Sequence, residues 1–261
     1  MRRLNEIRLF LLDMDGTVYI GDRLFSCTLP LLQRLDANGV GRLFLTNNSS
    51  KDKADYIAKL NRLGVAASER HILTSGDAAI DYLKEKLPGA AVYLVGTASL
   101  QRAFEAAGIA LTDCERCDAA VVGFDTELTY NKLEGLYRAV ASGRRYICTH
   151  PDMLCPAENG FIPDIGATIA YIEALTSRRP DVVIGKPERY MIDAAAKRFC
   201  VGVDEIAVVG DRLYTDMELA RRAGATSVLV LSGETTKEQA LLAAEQPDYI
   251  FDDLSGITDL L

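Results

Sequence analysis

A chain of 261 residues is long enough for one large or two medium domains, and 49% hydrophobic with 25% charged residues is the balance of a globular protein that needs neither metal nor disulfides merely to fold. The net charge of −8 argues against a nucleic-acid partner, whose phosphate backbone requires clustered Lys and Arg. The Met1-Arg2-Arg3 start is followed by no apolar leader, and no apolar run approaches the ~20 residues of a membrane span, so the sequence predicts a cytoplasmic protein without a membrane partner.

Strand and helix patterns alternate almost throughout, which predicts an α/β fold with a mainly parallel sheet. The first predicted strand is Leu9-Phe10-Leu11-Leu12-Asp13, an apolar run that ends in two acids one residue apart, Asp13 and Asp15, followed by Gly16-Thr17. Residues Val18 to Phe25 read as a small hairpin turning at Gly21-Asp22. A helix over about 29–37 stops at Asn38-Gly39, and the strand Gly41–Leu45 runs into Thr46-Asn47-Asn48-Ser49-Ser50, both a helix-cap cluster and a phosphate site. A helix over about 53–63 follows, then a short link at Ile72–Gly76 and a helix to about Leu87.

From Ala91 the pattern partly restarts, with strands at 91–96, 119–124 and 145–149, and helices at about 98–107 and 130–141. This middle block has its own apolar strands and reads as a second domain. Its turn-rich end, from His150 to Gly166, reads as irregular loop before a helix at about 168–175. The strand Asp181–Gly185 then ends at Lys186-Pro187, with the proline suited to a helix's first turn, and Ile206–Gly210 ends at Asp211. A helix beginning near Thr215-Asp216 runs to Gly224, and strands at 227–231 and 249–251 complete the sheet.

Four apolar strands thus end in Asp13, Thr46, Lys186 and Asp211, and parallel neighbours would gather these ends at one sheet edge, where open α/β sheets bind ligands. Each group alone has a plain reading as a solvated turn acid, a cap or a helix-start lysine. Together they suit phosphate chemistry. Two close carboxylates repel and require a cation or a catalytic role, and Mg2+ takes carboxylate oxygens while keeping positions for phosphate oxygens. Lys supplies fixed positive charge, Thr and backbone N–H groups donate to phosphate, one carboxylate attacks phosphorus, and a second moves the proton.

The ordered segments Asp13-Met14-Asp15-Gly16-Thr17, Thr46-Asn47-Asn48, Gly185-Lys186-Pro187 and Gly210-Asp211-Arg212-Leu213-Tyr214-Thr215-Asp216 resemble the four motifs of the haloacid-dehalogenase-like hydrolase superfamily. With Thr149-His150-Pro151-Asp152 they resemble its NagD-like phosphatase branch. The resemblance implies a Rossmann-like core, mainly parallel with helices on both faces, from residues 1–77 and 180–261, with an inserted α/β cap at 78–179. It implies Asp13 as nucleophile and metal ligand, and Asp15 as proton donor and acceptor whose carbonyl also binds Mg2+. Asp211 would be a further metal ligand and Asp216 would orient the metal's water shell. Thr46, Asn47 and Lys186 would hold the phosphoryl group of a small phosphorylated metabolite, with a sugar phosphate as the default substrate. An acid at Asp15 marks phosphatases and mutases, because rapid aspartyl-phosphate hydrolysis requires an adjacent base.

The same motifs are compatible with a phosphomutase or a non-catalytic phosphate-binding protein, and a phospho-receiver domain shares the Asp, Thr and Lys types in a much shorter chain. Where NagD-like chains commonly read Pro-Gly-x-Gly, this one reads Pro163-Asp164-Ile165-Gly166, which raises the expectation that Asp164 selects amine- or hydroxyl-bearing leaving groups. Cys114-Glu115-Arg116-Cys117 has zinc-knuckle spacing, with Cys148, His150 and Cys155 as the candidate remaining ligands, although ordinary reduced thiols are the simpler reading.

Overall fold

The computed structural model describes residues 2–157 and 160–261, so Met1 and the two residues at 158–159, within the predicted irregular loop, lie outside the described part. The chain forms two compact units: Met1–Thr46, Tyr56–Leu73 and Lys186–Leu261 in one, Asn47–Asp55 and Thr74–Gly185 in the other.

The first unit is a Rossmann-like α/β fold around a six-stranded sheet in the order Tyr249–Phe251, Thr226–Val230, Ile206–Gly210, Leu9–Asp13, Gly41–Thr46, Ile72–Thr74. Leu9–Asp13 runs parallel to both its neighbours, with Leu9 opposite Ile206 on one side and Gly41 on the other. Leu9, Phe10, Leu11 and Leu12 are all fully buried. This is why the strand reads as an unbroken apolar run, and each such side chain contributes roughly 1.5–3 kcal/mol of burial. The chain extends the sheet to one side through residues 41–46 and 72–74, then to the other through 206–210, 226–230 and 249–251. The reversal falls at the carboxyl end of Leu9–Asp13, the switch point where such sheets form a ligand crevice.

The second unit is built on a five-stranded sheet, Val182–Val183, Arg145–Cys148, Ala119–Val122, Ala91–Val95, Ala110–Leu111, parallel at each pairing. Its core includes Val95, Ala120, Val122, Leu136, Val140, Tyr146, Cys148 and Ile172.

Three elements differ from the sequence reading. The predicted link Ile72–Gly76 is a sheet strand at Ile72–Thr74 running directly into the helix Ser75–Lys86. The predicted irregular loop contains an antiparallel pair, Leu154–Ala157 with Gly160–Pro163, and its helix starts at Ile165. Most consequentially, the strand before Lys186 belongs to the second unit's sheet and not to the core. Val182 and Val183 pair with Ile147 and Cys148, and the Ile184 and Gly185 N–H groups continue the alignment on the Cys148 and Thr149 carbonyls at 3.0 and 2.7 Å. An apolar run identifies a strand but carries no information about which sheet accepts it. Among the described residues, no helix is long and apolar enough to cross a membrane.

Candidate active site

Asp13 is delivered by the central strand, and the chain then wraps tightly around a single carbonyl. Met14 C=O accepts the N–H groups of Thr17, Val18 and Tyr19 at 3.2, 2.9 and 3.2 Å, and the Gly16 N–H donates to Tyr19 C=O at 2.8 Å. Gly16 makes the turn with φ +87°, and a Cβ there would drive into the Asp211 carboxylate. This brings the Asp13-to-Thr17 turn against the end of Ile206–Gly210, whose next residue is Asp211.

Asp216 comes from the short π-helical turn Leu213–Met217 and folds back over Gly210, where any side chain would displace it. One carboxylate oxygen from each of Asp13, Asp211 and Asp216 lies within 4.8 Å of the other two. Lys186 enters this cluster fully buried. Its Nζ forms a close ion pair with Asp13 Oδ1 and donates to Asp216 Oδ1 at 2.7 Å. Burial opposes the Lys186 charge, but the two carboxylates hold its pKa above the usual range. Burial, followed by repulsion from Asp216 and Asp211, pushes Asp13 up to about 8 despite Lys186. Burial and Asp216 push Asp211 up to about 6.

The two oxygens of Asp211 differ. Oδ2 accepts the Glu234 N–H at 2.7 Å, whereas Oδ1 is buried with no hydrogen-bond partner. An orphaned oxygen on one of three clustered carboxylates is part of a donor set that suits a hard cation, and the residues present therefore fit Mg2+. Thr46 ends the adjacent strand, buried, one position beyond Leu45, which is in register with Asp13. The structure thus brings together Asp13, Lys186, Asp211 and Asp216. Asp15 is exposed and its carboxylate is outside the acidic trio; together with burial it raises the pKa of the Tyr19 hydroxyl.

Asn47 falls in the second unit. Its side-chain amide donates to both oxygens of Asp152, at 3.2 and 3.1 Å, and its carbonyl accepts the Ser75 hydroxyl. Nearby, His150, Asp152 and Asp164 form a second group of close ligand-type atoms. Asp164 is 6% exposed. It caps the helix Ile165–Thr176 by accepting the Ile165 N–H at 2.6 Å, and its Oδ1 lies 3.0 Å from His150 Nε2. These bonds engage the carboxylate as a cap and an imidazole partner. Neither of the two metal-capable groups found among the described residues contains a cysteine, and Cys117 Sγ instead donates to the Cys114 carbonyl at 3.4 Å.

Sequence reading missed the loop that follows the strand Thr226–Val230. Ser232 Oγ donates to Gly16 C=O at 2.7 Å, Gly233 packs on Asp211, and the Glu234 and Thr235 N–H groups donate to Asp211 Oδ2 and C=O at 2.7 and 3.2 Å. These contacts are made by a hydroxyl and by backbone groups, which leave no residue pattern to find.

A family model described as haloacid dehalogenase-like hydrolase matches residues 10–110, and one described as HAD-hydrolase-like matches 183–257. The chain belongs to the haloacid dehalogenase-like hydrolases. It is 33% identical over 254 residues to an acid sugar phosphatase of Staphylococcus saprophyticus, covering 97% of this chain and 98% of the relative. A 4-nitrophenylphosphatase structure from Thermotoga maritima superposes with TM-score 0.96 at 40% identity, covering 99% of both chains. A glycerol phosphate phosphatase from Mycobacterium tuberculosis, solved in complex with magnesium, gives TM-score 0.89 at 32% identity, covering 98% of this chain and 78% of that one. Within the superfamily the chain is a member of the NagD-like phosphatases.

Proposed function

We propose that this chain is a Mg2+-dependent cytoplasmic phosphatase that hydrolyses a small phosphomonoester through an aspartyl-phosphate on Asp13. The observation that carries the reading is the buried group formed by Asp13, Lys186, Asp211 and Asp216, with Asp211 Oδ1 left without a partner. Its desolvated carboxylates are stable as anions only beside cations, and Lys186 is the lysine already among them.

Asp13, Asp211 and the Asp15 carbonyl would hold Mg2+, with Asp216 orienting its waters. When bound, the ion neutralises the clustered carboxylates and the phosphoryl charge. Asp13 attacks phosphorus and the ester bond breaks, with Asp15 giving the leaving oxygen its proton. Asp15, now a carboxylate, takes a proton from water, which attacks the aspartyl-phosphate and returns Asp13 and inorganic phosphate. The exposed setting of Asp15 suits this exchange of protons with a leaving group and then water. Lys186, Thr46 and the Asn47 segment hold the phosphoryl oxygens, which matters because phosphoryl transfer relies mainly on positioning and electrostatics. The second unit is assigned the role of the inserted cap domain. The sugar phosphatase and glycerol phosphate phosphatase relatives support a small polyol or sugar phosphate as substrate.

The test is phosphate release from a panel of sugar phosphates, glycerol phosphate and 4-nitrophenyl phosphate, with Mg2+ and with EDTA, for wild type and Asp13→Asn. Turnover that needs Mg2+ and disappears in the variant is expected. Turnover that persists in Asp13→Asn would overturn the nucleophile assignment. Isomerisation of a sugar phosphate without phosphate release would replace hydrolysis by mutase chemistry.

A further inference from the structure

We propose that Glu234 is a positioning residue for the cation site: its anchored side chain fixes its own backbone N–H on Asp211 Oδ2, so that Oδ1 is the oxygen presented to the metal. The inference rests on the metal-dependent reading above and adds a determinant that lies outside the motifs.

The geometry has three parts. The Glu234 N–H meets Asp211 Oδ2 at 2.7 Å, and that oxygen is walled by Gly16 and Gly233, at both of which a Cβ would collide with it. Oδ2 therefore already holds a donor, whereas the buried Oδ1 has no hydrogen-bond partner. The Glu234 side chain is itself held at both oxygens. Tyr214 Oη donates to Oε1 at 2.8 Å, and the Arg212 guanidinium pairs with Oε2 at 2.9 Å. Arg212 precedes the Leu213–Met217 turn that carries Asp216 and Tyr214 lies within it, so the clamp spans two loops, each of which supplies an acid or a donor to the site. A carboxylate with one oxygen pinned cannot rotate, and groups that orient metal ligands are worth roughly 10- to 100-fold in metal affinity.

A clamp with no such role could change stability but would leave metal binding untouched. The two readings therefore separate on a metal titration. Mn2+ is the probe, its free aquo ion counted by electron paramagnetic resonance, for wild type, Glu234→Ala, Glu234→Gln and Tyr214→Phe, with the fold of each checked by circular dichroism. Glu234→Ala is expected to weaken Mn2+ binding about 10-fold, while Glu234→Gln, which keeps an acceptor for Tyr214, stays within about 2-fold. The Mg2+ concentration for half-maximal turnover should rise in parallel, and the loss should be recovered at high Mg2+. If Glu234→Ala does not fold, Tyr214→Phe removes one exposed tie and is expected to weaken binding about 3-fold. Folded variants that all bind Mn2+ like wild type would overturn the inference while leaving the phosphatase reading intact. A wild type that binds no Mn2+ would overturn both.

Discussion

Lys186 decides the electrostatics of the site. Its buried ammonium lies between Asp13 and Asp216, so removing it leaves two carboxylates in low dielectric facing each other and Asp211. Breaking a buried pair from one side costs about 3–5 kcal/mol, because the stranded charge is not rehydrated. Above about pH 8, where Asp13 is ionised, Lys186→Met is therefore expected to shift the urea midpoint strongly downward in EDTA and to regain part of the loss in Mg2+, which supplies the missing positive charge. Turnover should fall roughly 100- to 1000-fold, as when a preorganised donor to a developing oxyanion is removed. A variant as stable as wild type in EDTA would mean that the carboxylates take up protons at no cost, against the geometry. Lys186 also shows what a residue-level reading of the sequence leaves out. Gly-Lys-Pro after an apolar strand identified the residue, but the strand, Val182–Val183, pairs in the second unit's sheet. The chain crosses between units at Gly185 and Lys186, and such a handover has no hydrophobic signature.

At the level of elements, legibility follows the range of the interaction. The run Leu9–Leu12 is buried on both faces and so appears as continuous apolar sequence ending in Asp13; Ile206–Gly210 does the same for Asp211. The antiparallel pair of Leu154–Ala157 and Gly160–Pro163 was not legible, because four-residue strands of mixed character that each contain a proline look the same in a loop. Nor was the direction of Asp164, which depends on His150 fourteen positions earlier. Its actual use leads to a graded expectation. Asp164→Ala removes a helix cap, worth about 1 kcal/mol, and leaves buried His150 without that partner, worth about 1–3 kcal/mol more. Asp164→Asn keeps an oxygen for the Ile165 N–H and should cost much less. Urea denaturation of both variants checks the order, and equal stability would exclude the capping role. The Asp13–Thr17 turn has its own sensitive position. Gly16→Ala meets both a left-handed φ and the Asp211 carboxylate, so it should weaken Mg2+ binding and turnover together, read as a higher Mg2+ concentration for half-maximal rate.

For the molecule as a whole, the acidic cluster couples stability to pH and to metal. In the metal-free protein Asp13 is pushed up to about 8 and Asp211 to about 6, in each case by burial first and then by neighbouring carboxylates. An unfolded chain titrates both near the ordinary aspartate value of 3.8. Between that value and about 6 the native state holds protons on both groups that the unfolded state has released, and between about 6 and about 8 it still does so at Asp13. Where the native state binds more protons, stability falls as pH rises. The metal-free protein should therefore lose stability progressively from about pH 4 to about pH 8, with no further contribution from these groups above that. Mg2+ acts in the opposite sense, because it binds the deprotonated carboxylates and stabilises only the native state. The gap in melting temperature between Mg2+ and EDTA should accordingly widen from roughly pH 5 to roughly pH 8. Lys186, held charged by its two carboxylates, does not titrate in this window and so does not blunt the effect. Melting curves at fixed ionic strength across the range are the measurement. A gap that stays constant with pH would show that metal binding displaces no protons, and that the native carboxylates are already ionised without it.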